Sequence, residues 1–214
     1  MENNLFSRIF AWMFIGLLVT FGTGYYVSMH SNMLYNIFSG NLYLILIILE
    51  FILVIWLSAR AHKMSFNSAS ILYILYSFIT GLTFSSIFVA YKIESIIYNF
   101  ALTAIIFGIF AFLGYKTKID LSKLSTFFFM GLLGIVIATI VNIFLNNSIL
   151  EIVISWVSII LFIGITAYDI QKIKSLSKTV SDESAIAIIG ALDLYLDVIN
   201  IFIDLLRLFA KSRD

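Results

Sequence analysis

Asp193, Asp197, Asn200, Asp204 and Arg207 follow one another at steps of four, three, four and three residues through "DLYLDVINIFIDLLRLF", a segment otherwise almost wholly apolar. On an α-helix at about 100° per residue these five side chains fall on one narrow stripe. Carboxyl groups gathered where water is scarce have two chemistries open to them. As acids, a close pair holds one proton between its members, because both cannot cheaply ionise together, and the pair titrates as a unit that senses proton concentration. As anions, the same oxygens are hard ligands, suited to Ca²⁺ or a similar cation rather than to a thiophilic metal. A nearby guanidinium competes with proton and cation alike.

Three groups elsewhere in the chain could meet that stripe. Glu50 sits near the middle of a second apolar run, Arg60 closes the same run in "WLSARAHKMS", and Asp169 ends another in "TAYDIQKIK". Glu50 and Arg60 on one helix stand ~15 Å apart along the axis, too far to pair, so each needs a partner from elsewhere. Each group also has a plainer reading. Arg60 and Arg207 near span ends can snorkel to head groups. Asp169 can be a solvated residue just past its helix, and Asp204 can reach water in the last turns. Glu50 and Asp197 lie deep within apolar runs, which leaves either function or an obligatory buried pair.

The elements that position these residues follow from composition. The chain is 62% hydrophobic and 12% charged over 214 residues, where soluble domains carry roughly 25% charged residues. A charge at the bilayer centre costs at least ~2.5–3.5 kcal/mol, so such residues belong inside a bundle rather than against lipid. Apolar runs predict spans at Ile9–Met29, Leu42–Ala59, Ser70–Tyr91, Ile96–Tyr115, Leu124–Leu145, Ile149–Tyr168 and Ala185–Phe209. The expected fold is an all-α membrane protein, a seven-helix bundle in a single polytopic domain over residues 1–214. The first run reads as a retained helix rather than a cleaved leader. Proline is absent, so breaks must come from glycine or polar insertions. Gly16, Gly22, Gly24, Gly81, Gly108, Gly131, Gly134 and Gly164 within spans are expected to serve helix packing.

Loop charges orient the spans. Arg8, Arg60, Lys63, Lys116, Lys118, Lys123, Lys172, Lys174 and Lys178 fall on one side and only Lys92 on the other, which predicts a cytoplasmic N-terminus. The end of the chain conflicts with this, because a full seventh crossing carries Arg207, Lys211 and Arg213 outside. Either the last segment enters and returns, or it crosses while shielded by protein.

Several function classes are excluded or weakly supported. A net charge of +1 without a basic run leaves no nucleic-acid footprint. Cysteine is absent and His30 and His62 are the only imidazoles, so thiolate chemistry and cysteine metal sites are out. There is no P-loop, dinucleotide fingerprint or zinc-protease motif. A non-enzyme without a cofactor is expected, its ligands being membrane lipid, protons and calcium as a transported ion.

The same residues carry a family resemblance. "LYLDVINIFIDLLRLF" resembles the C-terminal signature of the Bax inhibitor-1 family, and "AYDIQKIK", "GYKTKIDLSKL", "MFIGLLVT", Glu50 and Arg60 resemble further family landmarks in the family's order. The resemblance covers nearly the whole chain. It implies seven helices with the last one central, and a pH-sensitive calcium leak controlled by two aspartates that match Asp169 and Asp197. Arg60 matches the arginine that pairs with them in the closed form. Glu50, Asp193, Asn200 and Asp204 are then expected along the ion pathway, with Arg207 an ion-pair partner and calcium held at Asp169 and Asp197. Positions 193 and 204 are not generally acidic in that signature, so two extra charges here either strengthen cation attraction or alter the pH response.

Two other classes compete. A regulator that binds membrane proteins, in cell death or protease control, would use buried charges only to fix helix register. An intramembrane aspartyl protease would use Asp169 and Asp197 to activate water, but its Gly-x-Gly-Asp motif is missing and "GALD" at Gly190–Asp193 is the nearest stretch. A proton-coupled carrier would also employ buried carboxylates. The short N-terminus and the Ile-, Phe-, Asn- and Lys-rich composition suggest a bacterial plasma membrane.

Overall fold

The computed structural model describes residues 2–60, 64–177 and 183–211. His62, and Lys63, Lys178 and Arg213 from the loop-charge comparison, lie outside the described residues. Among the described residues there are eight helices and no strand: α1 (Glu2–Ser28), α2 (Ser31–Phe38), α3 (Leu42–Arg60), α4 (Phe66–Ala90), α5 (Ile93–Lys116), α6 (Ser125–Leu145), α7 (Ser148–Leu176) and α8 (Glu183–Phe209). All but α2 are apolar enough to cross a membrane, with spans of 19 to 29 residues. That is roughly 28–43 Å of helix, against ~30 Å of hydrocarbon.

Two features depart from the expected spans. The sixth span does not end at Tyr168: α7 runs on to Leu176, with Ile170 and Ile173 buried. Asp169 is therefore inside a helix and buried, and its reading as a solvated residue past a helix end is wrong. The last segment is one continuous helix, α8, with no break that would let it enter and return.

Side chains cap the starts of α4 and α7. Ser65 accepts from the Ser68 amide at the start of α4. Between α6 and α7, Asn146 takes the left-handed conformation at φ 46° and ψ 46°, which asparagine tolerates better than most residues. Asn147 Oδ1 then accepts the Ile149 and Leu150 amides at 2.9 and 3.0 Å, capping α7. Two asparagines thus reverse the chain where no proline is available.

The chain forms two compact units. The first comprises the chain up to Lys92 with Leu176–Tyr195, hence α1 to α4 and the first half of α8. Here α1 approaches α4 so closely that a β-carbon on Gly81 would lie 2.8 Å from the Thr20 carbonyl oxygen. The second comprises Ile93–Ser175 with Leu196–Lys211, hence α5 to α7 and the second half of α8. A β-carbon on Gly114 of α5 would strike the backbone of Ala167 on α7. Gly22, Gly108 and Gly134 have no described atom within 4 Å of such a β-carbon, so the packing role expected of them does not hold.

Burial differs sharply among the spans. In α8, 72% of the apolar window is buried, against 6% in α6 and 17% in α3.

Candidate functional site

The second unit holds Asp169 of α7 and Asp197 and Asp204 of α8. Asp169 is 7% exposed, Asp197 2% and Asp204 4%. On α8, Asp197 and Asp204 are buried, Asp193 and Asn200 are half-buried and Arg207 is exposed. The stripe inferred from spacing is therefore real at its middle and opens at its C-terminal end. Asn200 spends its amide on its own helix, donating to the Leu196 carbonyl at 2.7 Å. Asp204 is not drawn out into water by its place near the chain end.

Asp169 has a cationic neighbour that its sequence context did not single out. Lys172 Nζ stands 3.8 Å from Asp169 Oδ1, one helical turn further along α7. The same end of α7 straps down the loop before α6. Gln171 accepts the Leu121 amide at 2.8 Å and donates to the Ile119 carbonyl at 2.8 Å. Lys174 donates to the Tyr115 carbonyl at 2.9 Å and lies 4.0 Å from the centre of that tyrosine ring.

The other end of α7 meets the last turns of α8. Arg207 Nη1 lies 3.4 Å from Asp204 Oδ1, and Arg207 Nε lies 4.0 Å from Glu151 Oε1. The hydroxyls of Ser155 and Ser158 lie against the Asp204 carboxyl. Arg207 thus stands between two carboxylates, and Glu151, Ser155 and Ser158 were not foreseen. Their spacing of four and three residues was the available signal, since it places them on the same face of α7 as Asp169.

Along α8, Ile201 falls between Asp197 and Asp204. With Phe128, Ile159, Leu161, Phe162, Ile165 and Leu205 it forms a buried apolar cluster of the second unit. Two polar levels, ~10 Å apart along α8, are thus associated with an apolar layer.

In the first unit, Glu50 is half-buried and Thr83 Oγ1 is 2.8 Å from its Oε1. The same hydroxyl is 2.9 Å from the Thr80 carbonyl. One hydroxyl hydrogen faces two acceptors, and a proton on Glu50 would satisfy both. Beside it runs a second network, in which the Tyr195 hydroxyl is 2.7 Å from Thr20 Oγ1 and Thr20 donates to the Ser77 carbonyl at 2.9 Å. Arg60 is the exposed last residue of α3. Among the described residues, no three side chains of His, Cys, Asp or Glu come together to hold a metal ion.

Comparison with known proteins bears on the whole chain. A family model described as "Inhibitor of apoptosis-promoting Bax1" matches residues 2–214. The chain is 40% identical over 213 residues to "Inner membrane protein YbhL" of Escherichia coli strain K12, covering 97% of this chain and 91% of that protein. It is 38% identical over 218 residues to a protein of Borreliella burgdorferi, covering 100% of this chain and 94% of that one. A membrane protein of Streptococcus pyogenes serotype M1 is 35% identical over 224 residues, with 98% and 93% covered.

Proposed function

This chain belongs to the Bax inhibitor-1 family, and from that premise we propose that it is a pH-sensitive calcium leak of a bacterial plasma membrane. Asp169 and Asp197 share a proton in the closed form. Loss of the proton frees two hard anionic ligands for calcium. The observation that carries this reading is the burial of both carboxylates, at 7% and 2% exposure, within one compact unit. Lys172 places a positive charge beside Asp169.

The remaining polar groups fit a pathway associated with α8. Glu50 and Asp193 supply polar stations in the first unit, and Asn200 and Asp204 supply them in the second. The Phe162, Ile165 and Ile201 layer supplies the apolar barrier that closes such a route by excluding water. The multi-pass character is also consistent with the relative named as an inner membrane protein. With a cytoplasmic N-terminus and seven crossings, Arg207 lies on the outer side. Asp204 and Glu151 beside it offset the charge that would otherwise break the loop-charge rule.

Calcium flux into vesicles containing the purified protein tests the proposal. Flux should rise as pH is raised and Asp169 and Asp197 lose their shared proton, and Asp197→Asn should remove that dependence. Absence of flux, or a pH response untouched by Asp197→Asn, refutes it. The family description, which names inhibition of a cell-death protein, favours one other reading: a non-conducting regulator of membrane proteins. Copurification of a defined partner, together with tolerance of substitution at Asp169 and Asp197, would select it.

A further inference from the structure

The N-terminal end of α7 and the last turns of α8 carry a second set of oxygens, distinct from Asp169 and Asp197. Glu151, Ser155 and Ser158 share one face of α7, and Asp204 and Arg207 stand one turn apart on α8. Asp204 is 4% exposed, and a carboxylate so enclosed requires a counter-charge. Arg207 supplies it loosely. A well-matched guanidinium and carboxylate form two parallel bonds at ~2.7–2.9 Å. Here the guanidinium divides itself between two carboxylates at 3.4 and 4.0 Å.

Charge and hydrogen bonding both point to a missing ligand. Glu151 is exposed and hydrated, so the enclosed Asp204 carboxylate is the group that the loosely placed guanidinium leaves poorly matched, and a cation seated between the two would meet both. Ser155 is wholly buried against the Asp204 carboxyl, yet its hydroxyl makes no hydrogen bond of proper geometry. A buried hydroxyl left unmatched is costly. Its lone pairs suit a cation as well as a donor would. Carboxylate and hydroxyl oxygens without nitrogen or sulfur select a hard cation.

We infer that Glu151, Ser155, Ser158 and Asp204 form a second cation site, taking a hard divalent ion, and that Arg207 is its tethered occupant. Arg207 is exposed and two residues from the end of α8, so its side chain can withdraw into water and leave the oxygens to the ion. In the native chain the ion must displace the guanidinium, which makes the site weak. Removing the guanidinium strengthens it. The site is a binding statement about these side chains and stands whether or not Asp169 and Asp197 conduct.

Binding of Mn²⁺ to the full-length protein in detergent, followed by electron paramagnetic resonance, tests this. Arg207→Gln should bind one more Mn²⁺ than the native chain in the same concentration range, with at least ~10-fold higher affinity at this site. Adding Asp204→Asn should abolish that binding, adding Ser155→Ala should weaken it several-fold, and adding Asp197→Asn should leave it in place. The last result separates this site from the proposed leak. A Mn²⁺ titration of Arg207→Gln that matches the native chain, or extra binding that survives Asp204→Asn, overturns the inference. Trp156 gives a reading that does not require Arg207→Gln to fold, since it adjoins Ser155 in sequence and packs on Phe209 at 5.8 Å. With Trp12 and Trp56 changed to Phe, millimolar Mn²⁺ should quench Trp156 emission, and Asp204→Asn should suppress the quenching. Quenching unchanged by Asp204→Asn also overturns it.

Discussion

Helices α6 and α8 have opposite relations between apolarity and burial. Helix α6 contains no Asp, Glu, Lys or Arg, yet only 6% of its most apolar stretch is buried; α8 carries Asp193, Asp197, Asp204 and Arg207, and 72% of its most apolar stretch is buried. In water the order would be reversed. Lipid tails are as apolar as leucine, so apolarity gives no reason to hide a helix, whereas carboxylates give a strong one. Packing alone then decides what an apolar side chain contributes. Phe202 of α8 is wholly buried and meets Phe100 edge to face at 6.0 Å, while Phe129 of α6 is 61% exposed. Phe202→Ala should cost ~3–5 kcal/mol, the range for an enclosed aromatic, and Phe129→Ala less than ~0.5 kcal/mol, as for a surface change. Unfolding of the purified protein in mixed micelles measures both. Equal losses would break the contrast between the two helices.

That contrast explains which features are legible in the amino-acid sequence. The stripe of α8 stands out because five polar groups at helical spacing interrupt an apolar run. Family resemblance and seven spans follow from the same signal. Asp169 is harder, because the apolar run stops at Tyr168 while the helix continues on the wider spacing of Ile170 and Ile173. The eight residues of α2 are too few to span anything, so a hydropathy reading passes over them. Glu151, Ser155 and Ser158 escape notice for a different reason. Single hydroxyls are common in membrane helices, and only the position of Asp204 gives these two serines a purpose. Lys172 looks like loop charge and is instead a turn of helix away from Asp169.

The first unit allows the buried half of the contrast to be sharpened with neutral groups. Thr20 and Tyr195 are both 0% exposed and joined at 2.7 Å, with Thr20 donating onward to the Ser77 carbonyl. Thr20→Val keeps the shape and removes the acceptor, leaving the tyrosine hydroxyl without its 2.7 Å neighbour. The expected loss is ~1–3 kcal/mol. Removing both members is cheaper than removing one when the cost lies in the orphaned group. Thr20→Val with Tyr195→Phe should therefore be more stable than Thr20→Val alone in the same unfolding measurement. Simple additivity of the two changes would show that the hydroxyls contribute independently.

The smallest effect belongs to a carboxylate in water, Asp120 in the loop before α6. Ser122 donates to its Oδ1 twice, from the hydroxyl at 2.6 Å and from the amide at 3.1 Å. These bonds hold the Asp120 carboxyl below the usual carboxylate range, the hydroxyl contributing most and Lys123 adding a little. Because the folded form favours the anion, the bonds are present above the ordinary carboxylate range and are lost as pH falls through the lowered value. The group is fully exposed and its partners are two residues away, so this order is local and the stability of the bundle should not follow it. A carboxyl-carbon NMR titration of Asp120 should show the depressed midpoint, and Ser122→Ala should raise it towards the ordinary value. Loss of protection at the Ser122 amide should track the same titration. If Asp120 titrates normally in the native chain, hydrogen bonds of this geometry do not bias a carboxyl in the loop, and burial alone separates it from the acids of α8.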